Sequence, residues 1–403
     1  MVGPVERLRA WARGPAGARA PERKEGGFAG GSLVFAGGQT DGASWSERGY
    51  VSAAREGFMR NPVAYRCVRL LAESTAAVPL LLYDGAREVA EHPMLGLLRR
   101  PNGAQDGAAL VEALCGHLLL SGAAHLEAVM LDGEPRLLHA LRPDTVRTLA
   151  GNDGWPAAVE LRHGASVRRL SLEGEGGRPP QVLAIRLFHP LGEADGFAPL
   201  EAARTALDLH NAATRWNKAL LDNSARPSGA LVYQPGDGSN LSPDQFDRLK
   251  SELENGYVGA ARAGRPMLLE GGLDWKTMAL SPRDMDFVEA RNGAARDIAV
   301  AFGVPPMLLG IPGDATYANY AEANRALFRL TVLPLVSRLC AAVGDWLAAL
   351  HGEPALRLGF DADRIEGLAL EREALWRRLG GAEFLSEDEK REAVGYGPRA
   401  GVR

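Results

Sequence analysis

Eight histidines, three cysteines and a few short acidic clusters are the residues of this 403-residue sequence that could carry chemistry. Their spacing builds none of the common centres. His117 and His125 flank a predicted helix-to-strand turn and could share a metal, but no third ligand follows at a useful spacing. Asp361-Ala362-Asp363 supplies the first two acids of a calcium loop, yet Glu366 stands at the sixth position, where that loop needs glycine. Asp284, Asp286 and Glu289 have the proximity of paired catalytic carboxylates, but acids in the first turn of a helix are what the macrodipole favours unaided, so they read as capping residues. Gly174-Glu175-Gly176-Gly177 runs into Arg178-Pro179-Pro180 rather than a helix, which makes it a turn and not a phosphate cradle. No GxxxxGK[ST], HExxH or GxSxG is present. No catalytic, cofactor-binding or metal-ligating residue is therefore assigned, and no cofactor is expected.

Composition narrows the remaining classes. Lysine and arginine total 46 against 50 aspartates and glutamates, a formal charge of -4. Proteins that clamp nucleic acid through its phosphates concentrate basic charge, so any contact with DNA is expected to be weak or transient. Cys67, Cys115 and Cys340 sit in apolar helical patterns with no CxxC pair, which predicts buried, reduced thiols and a reducing compartment. No apolar run reads as long enough to cross a bilayer and no secretory signal is visible, so synthesis in the cytoplasm and no membrane partner are expected. With 46% hydrophobic residues the chain can bury a sizeable core.

The elements that would position these residues follow in order. Residues 1–48 mix Gly, Ala, Arg and Pro without periodicity and predict a flexible arm, with acids among its arginines that argue against a DNA grip. Asn61-Pro62 opens a helix carrying Val63, Cys67, Leu70 and Leu71, ended by Pro79. Short helices over 94–100 and 108–120 alternate with strand-sized runs at 80–83, 124–131, 136–141, 146–149, 157–161, 167–172 and 182–188. This is an α+β block. A long helix over 200–222 then carries Ala202, Ala206, Leu209, Ala213, Trp216 and Leu220 at alternating gaps of four and three, a seam on one helix face. Half of the seam is alanine, so it reads as a close packing face for a neighbouring helix. A second long helix begins at Asp284 with Val288, Ala295, Ile298 and Phe302 on its apolar side. Between the two lie a β-prone run at 229–233, a helix introduced by Ser242-Pro243-Asp244, and strand candidates at 266–269 and 273–280. After a Gly- and Pro-rich loop, Asn319 with Glu322 predicts the capped start of a third long helix to about residue 350, whose face is Leu330, Leu333, Val336, Cys340, Val343, Leu347 and Leu350. Pro334 should kink that helix without ending it, because it removes one backbone hydrogen bond and crowds the Leu330 carbonyl. A strand at 355–360, a helix over 368–379 and a short helix from Ser386 close the chain.

Four motifs, in order and at their spacing, give this architecture a family. GFAPLEAAR at 196–204, ARPSGAL at 225–231, RPMLLEGGLDWKTMALSPRD at 265–284, and FGVPPMLLG followed by ATYANYAEAN at 302–324 resemble the portal proteins of long-tailed bacteriophages and gene transfer agents. The resemblance extends over nearly all of the chain beyond about residue 50. It implies an α+β portal-type ring subunit: a wing at 49–198, stem helices at 199–224 and 282–303, a small α/β clip at 225–281, a tunnel loop at 304–318, a kinked helix and return strand at 319–366, and a helical crown at 367–403. The crown is the loosest match, because DADRIEGLALE stands where the family has a further acid and arginine pattern.

The implied function is a non-enzymatic, dodecameric DNA channel at one capsid vertex that passes double-stranded DNA and joins head to tail. Its implied partners are a separate terminase ATPase, the major capsid protein and a head-tail adaptor. Gly310, Ile311, Pro312, Gly313, Asp314, Ala315, Thr316 and Tyr317 fall at the tunnel loop, and Arg248 and Glu252 on the clip surface facing terminase and adaptor. Asp284, Asp286 and Glu289 keep an open second role facing the tunnel. Tryptophan at Ala206 or Ala213 is expected to abolish oligomers while leaving the wing folded. A DNA-acting enzyme and a membrane-associated channel subunit are the alternatives; metal-dependent activity would favour the first, and flotation with lipid vesicles the second.

Overall fold

The structure, a computed structural model, describes residues 49–222 except 86, 175 and 193, and residues 229–233, 242–257, 273–277, 287–312 and 317–396. The expected arm, the 266–269 strand, the Asp284 helix start and residues 313–316 of the loop lie outside the described residues.

A helical segment absent from the sequence expectation comes first, Tyr50–Ser52 continuing into a wide π turn at Ala53–Met59. Helix α1 (Pro62–Ala76) then starts at the Asn-Pro signal, with Asn61 Oδ1 accepting the backbone N–H groups of Val63 and Ala64 at 3.0 Å each. In chain order follow β1 (Leu80–Asp84), β2 (Arg87–Glu88), α2 (Pro93–Arg99), α3 (Gly107–Ser121), β3 (Ala123–Leu131), β4 (Glu134–Leu141), β5 (Val146–Ala150), β6 (Pro156–His163), β7 (Ser166–Ser171) and β8 (Val182–Arg186). All seven predicted strands of this block are present. The β3–β4 hairpin turns on Asp132 and Gly133, whose φ values of 54° and 83° place both in the left-handed region that a tight two-residue connection needs.

The strands form three antiparallel three-stranded sheets. Their orders are β4-β3-β8, β5-β6-β7, and a sheet in which β1 is flanked by β2 and by β11 (Leu356–Phe360), with Leu80 opposite Phe360. β11 thus returns from near the end of the chain to complete a sheet begun near its start. The main core lies where α1, α3 and the long late helix cover these strands, through Leu71, Leu82, Leu118, Leu126 and Leu347. Each such side chain contributes about 1.5–3 kcal/mol by burial. A smaller core of Leu141, Val159, Leu161 and Val182 joins the β5-β6-β7 sheet to its neighbour. All three cysteines are buried and free, and burial pushes each thiol up to about 12, so they behave as small apolar fillers.

Beyond the sheets come α4 (Pro199–Ala202), α5 (Arg204–Asp222), β9 (Gly229–Tyr233), α6 (Pro243–Tyr257), β10 (Leu273–Thr277) and α7 (Phe287–Ala301). The first long helix is therefore broken at Ala203. β9 and β10 pair antiparallel, Gly229 opposite Thr277. α6 opens on the reciprocal cap its sequence suggests, Ser242 Oγ accepting from Gln245 N at 3.3 Å and Gln245 Oε1 accepting from Ser242 N at 3.0 Å.

The third long helix departs from its predicted form in two ways. It starts at Tyr317, so Asn319 and Glu322 lie inside α8 (Tyr317–Leu327) and not at its cap. It continues through a five-residue π turn, Phe328–Val332, into α9 (Leu333–Leu350), in which Pro334 is the second residue. Proline provides no N–H and crowds the turn before it, and a widened turn relieves both. That turn also shifts the phase of the helix. Leu330 rotates out to 66% exposure, while Val336, Cys340, Val343, Leu347 and Leu350 keep the predicted inward face. The stretch Asn319–Leu350 is long and apolar enough by length and composition to cross a membrane, which corrects the sequence reading that no such run exists. In this fold it is the central core helix, packed against β11 and α1. The last helices are α10 (Ala369–Gly380) and α11 (Glu387–Ala393), the latter with a full capping box between Ser386 and Glu389.

Candidate ring-assembly and channel surfaces

The paired helices α5 and α7 dominate the candidate surface. They pack on each other through Leu207, His210 and Ala213 on one side and Ala294, Ala295, Ile298 and Ala299 on the other, all buried. The predicted seam is only partly this contact. Ala213 is 4% exposed and Ala206 half-buried, whereas Ala202 is exposed and Leu209 and Trp216 are each 48% exposed. The side chain of Leu220 lies outside the described residues. At 3.6 residues per turn the face buried within the chain is centred about a quarter turn from the seam, on Ala203, Leu207 and His210.

Polar residues explain the rotation. Asn61, while capping α1, also bonds His210 Nδ1 at 3.1 Å and Asn211 Oδ1 at 2.9 Å, and Asn211 Nδ2 donates to the Glu56 carbonyl at 3.0 Å. Burial and nearby Arg291 hold the His210 imidazole below its usual range, so it stays neutral. A hydrophobic pattern cannot reveal a face built on His and Asn. The Asn-Pro signal did locate one end of the network.

On α7, Ala295, Ile298 and Phe302 point inward as predicted and Val288 is 62% exposed. Past a short 3-10 turn, Pro306–Leu309, the chain reaches Gly310 at φ 70°, Ile311 half-buried and Pro312 exposed. Arg296 from α7 donates to the Pro312 carbonyl, tying the start of the loop to the helix pair. Gly313, Asp314, Ala315 and Thr316 lie outside the described residues, as does the Tyr317 side chain. Arg248 is exposed on α6, and the Glu252 side chain is not described. Asp284 and Asp286 also lie outside, and Glu289 is exposed in the first turn of α7.

Among the described residues no three His, Cys, Asp or Glu side chains gather to hold an ion. His117 Nδ1 bonds the Tyr50 hydroxyl at 3.1 Å, and neither ring nitrogen of the buried His125 has a hydrogen-bond partner. Asp361 accepts from Asp363 N at 3.0 Å, and Asp363 pairs with Arg372. Gly174, Gly176 and Gly177, at φ 81°, 60° and 75°, form the turn between β7 and β8.

Half-buried His117 and buried His125 carry a pH dependence. Burial pushes both down to about 4, so both are neutral in the folded chain at pH 7. An unfolded chain takes up these protons below about 6.5, so their contribution is intact above that pH and is lost as pH falls towards about 4, on the order of 2–3 kcal/mol per histidine. Melting midpoints at pH 7, 5.5 and 4.5 should fall steadily, and His125→Leu should flatten the slope. An unchanged slope in that variant would remove His125 as a source.

The described surface is thus two paired long helices, with Leu209 and Trp216 forming an exposed apolar stripe on one of them. The chain of a native gene transfer agent (GTA) particle neck, computed with C12 symmetry, is 52% identical, covers 88% of this chain and 95% of that one, and has a TM-score of 0.67. The corresponding chain of an empty GTA particle neck gives a TM-score of 0.70 at the same identity and coverage. The probable portal protein of Streptomyces phage phiC31 is 28% identical over 83% of this chain and 74% of its own. An uncharacterized protein of Rickettsia felis (strain ATCC VR-1525 / URRWXCal2) is 38% identical over 86% of this chain and 90% of its own. A family model described as phage portal protein matches residues 62–395, and the chain belongs to that family.

Proposed function

We propose that this chain is the ring subunit of a gene transfer agent portal, the DNA channel at one capsid vertex that serves head assembly, packaging, ejection and attachment of the tail. One observation carries the choice of particle: the 52% identity, over 88% of the chain, to the GTA neck chain. The twelve-fold symmetry of that neck supports a dodecamer. Residues 199–224 and 282–303 are the stem, 225–281 the clip, 49–198 with the return strand the wing, and 367–403 the crown. The chain does no catalysis. A terminase ATPase drives DNA through the ring, the clip surface around Arg248 and Glu252 meets terminase and then the adaptor, and capsid protein surrounds the wing. Negative-stain images of purified protein should contain rings with a central hole. A compact monomer at micromolar concentration would overturn the reading.

The connector at 304–318 joins two helices lining the channel, so its tip from Gly310 to Tyr317 faces DNA. It carries Asp314 and no lysine or arginine, so DNA slides past with little phosphate attraction. Changing Asp314 and Thr316 to arginine should leave rings and empty heads normal and slow packaging, most at low salt where attraction is least screened. Normal packaging rates at low salt, with rings intact, would place the loop outside the channel.

A further inference from the structure

A cavity of 550 Å³, a size that suits a small molecule, is walled by α1, α2, α3, β1, β3, β11 and α9. Leu98, Leu114 and Val343 are among the side chains that make its body apolar. Its charged lining is Arg99, Asp106, Asp361 and Arg364. These four are not equivalent. Asp106 accepts the Ala109 N–H at 2.8 Å as the cap of α3, and Asp361 accepts the Asp363 N–H at 3.0 Å, so each carboxylate is engaged by its own backbone. Arg99 and Arg364 have no ion pair or hydrogen bond among the described residues. The first turn of α3, at Gly107 and Ala108, also borders the cavity, with Asp106 capping it. Deeper in the wall Thr75 is 4% exposed, and its hydroxyl has no conventional hydrogen bond, the Cys115 thiol being its polar neighbour.

We propose that this cavity binds a small amphiphile, an unbranched alkyl carboxylate whose tail fills the apolar body and whose head is held by Arg99 and Arg364. Guanidinium groups match a carboxylate in a planar, two-point fashion, which selects this head over a cation or an alcohol.

The test is titration calorimetry of the purified full-length protein with decanoate below its micelle concentration, beside 1-decanol and decyltrimethylammonium. Decanoate should bind saturably, one per chain, at least tenfold tighter than decanol, with the cation weakest. Arg99→Gln with Arg364→Gln should bring decanoate down to the level of decanol and leave decanol unchanged. Ala108 is exposed at the cavity edge, so Ala108→Trp should obstruct it without touching the core, and should abolish binding of both with an unchanged circular dichroism spectrum. Equal affinity for decanoate and decanol in the native protein, absence of saturable binding, or native-like binding by folded Ala108→Trp would each overturn the proposal.

Discussion

Replacing Leu209 and Trp216 together by aspartate is expected to leave this protein a folded monomer. Both side chains are 48% exposed on α5, on the side of the helix turned away from Leu207 and His210. In the ring proposed above, with the stem helices at its centre, that stripe is the surface expected to meet the next subunit. Each large apolar side chain lost there removes about 1.5–3 kcal/mol, and a carboxylate buried in its place costs more. A deficit of about 5 kcal/mol per interface weakens it by roughly 10³–10⁴-fold, and in a closed ring every subunit bears it. Light scattering after size exclusion should report only the monomer mass, with the circular dichroism spectrum and melting midpoint preserved. Rings that survive both substitutions would move the interface to another face. Ala213→Trp makes the contrast: Ala213 is 4% exposed against α7, so tryptophan there overfills a contact inside the chain and should lower the melting midpoint before it affects assembly.

That contrast also marks how far the sequence could be read. Periodicity and turn signals found the helices from Pro62 onward and the seven predicted strands of the first block, because each alternates or repeats against a core on one side, and missed the helical segment at 50–59 and the two-residue β2. Periodicity could not separate a face buried within the chain from one buried between chains, since both are apolar. Ala206 and Ala213 turn inward while Leu209 and Trp216 turn out, and the true inner face includes His210 and Asn211, which are polar and invisible to such a pattern. Pro334 was legible as a distortion because its missing N–H is a local fact. Its consequence, a π turn that swings Leu330 outward, depends on how the turn is relieved and was not. The cavity beside α1 and α3 was illegible for a different reason: its walls come from seven helices and strands scattered between residues 75 and 364, and only the fold brings them together.

Gly196, the first residue of the GFAPLEAAR motif, is expected to be among the least replaceable positions of the chain. Its backbone crosses that of Gly122, the left-handed residue that ends α3, so closely that a Cβ on Gly196 would lie 1.8 Å from the Gly122 carbonyl oxygen. The neighbour is backbone, and that same oxygen accepts the Leu187 N–H at 2.8 Å, so it cannot retreat without breaking the link to the end of β8. Gly196→Ala should therefore cost about 3 kcal/mol or more, at the upper end of overpacking, and lower the melting midpoint by on the order of 4 °C. Gly122→Ala meets the same obstruction, 2.3 Å from the Gly196 carbonyl carbon, and adds left-handed strain at φ 77°, so it should cost about 1 kcal/mol more. Because both changes force the same two strands of backbone apart, the double variant should lose less than the sum of the singles. Gly116, inside α3 with nothing within 4 Å of a Cβ, supplies the control: alanine there should stabilise by about 1 kcal/mol through helix propensity alone. Thermal melts of the four variants decide the matter. A Gly196→Ala protein that melts with the native one would mean that the crossing yields easily, and the motif glycine would need another explanation.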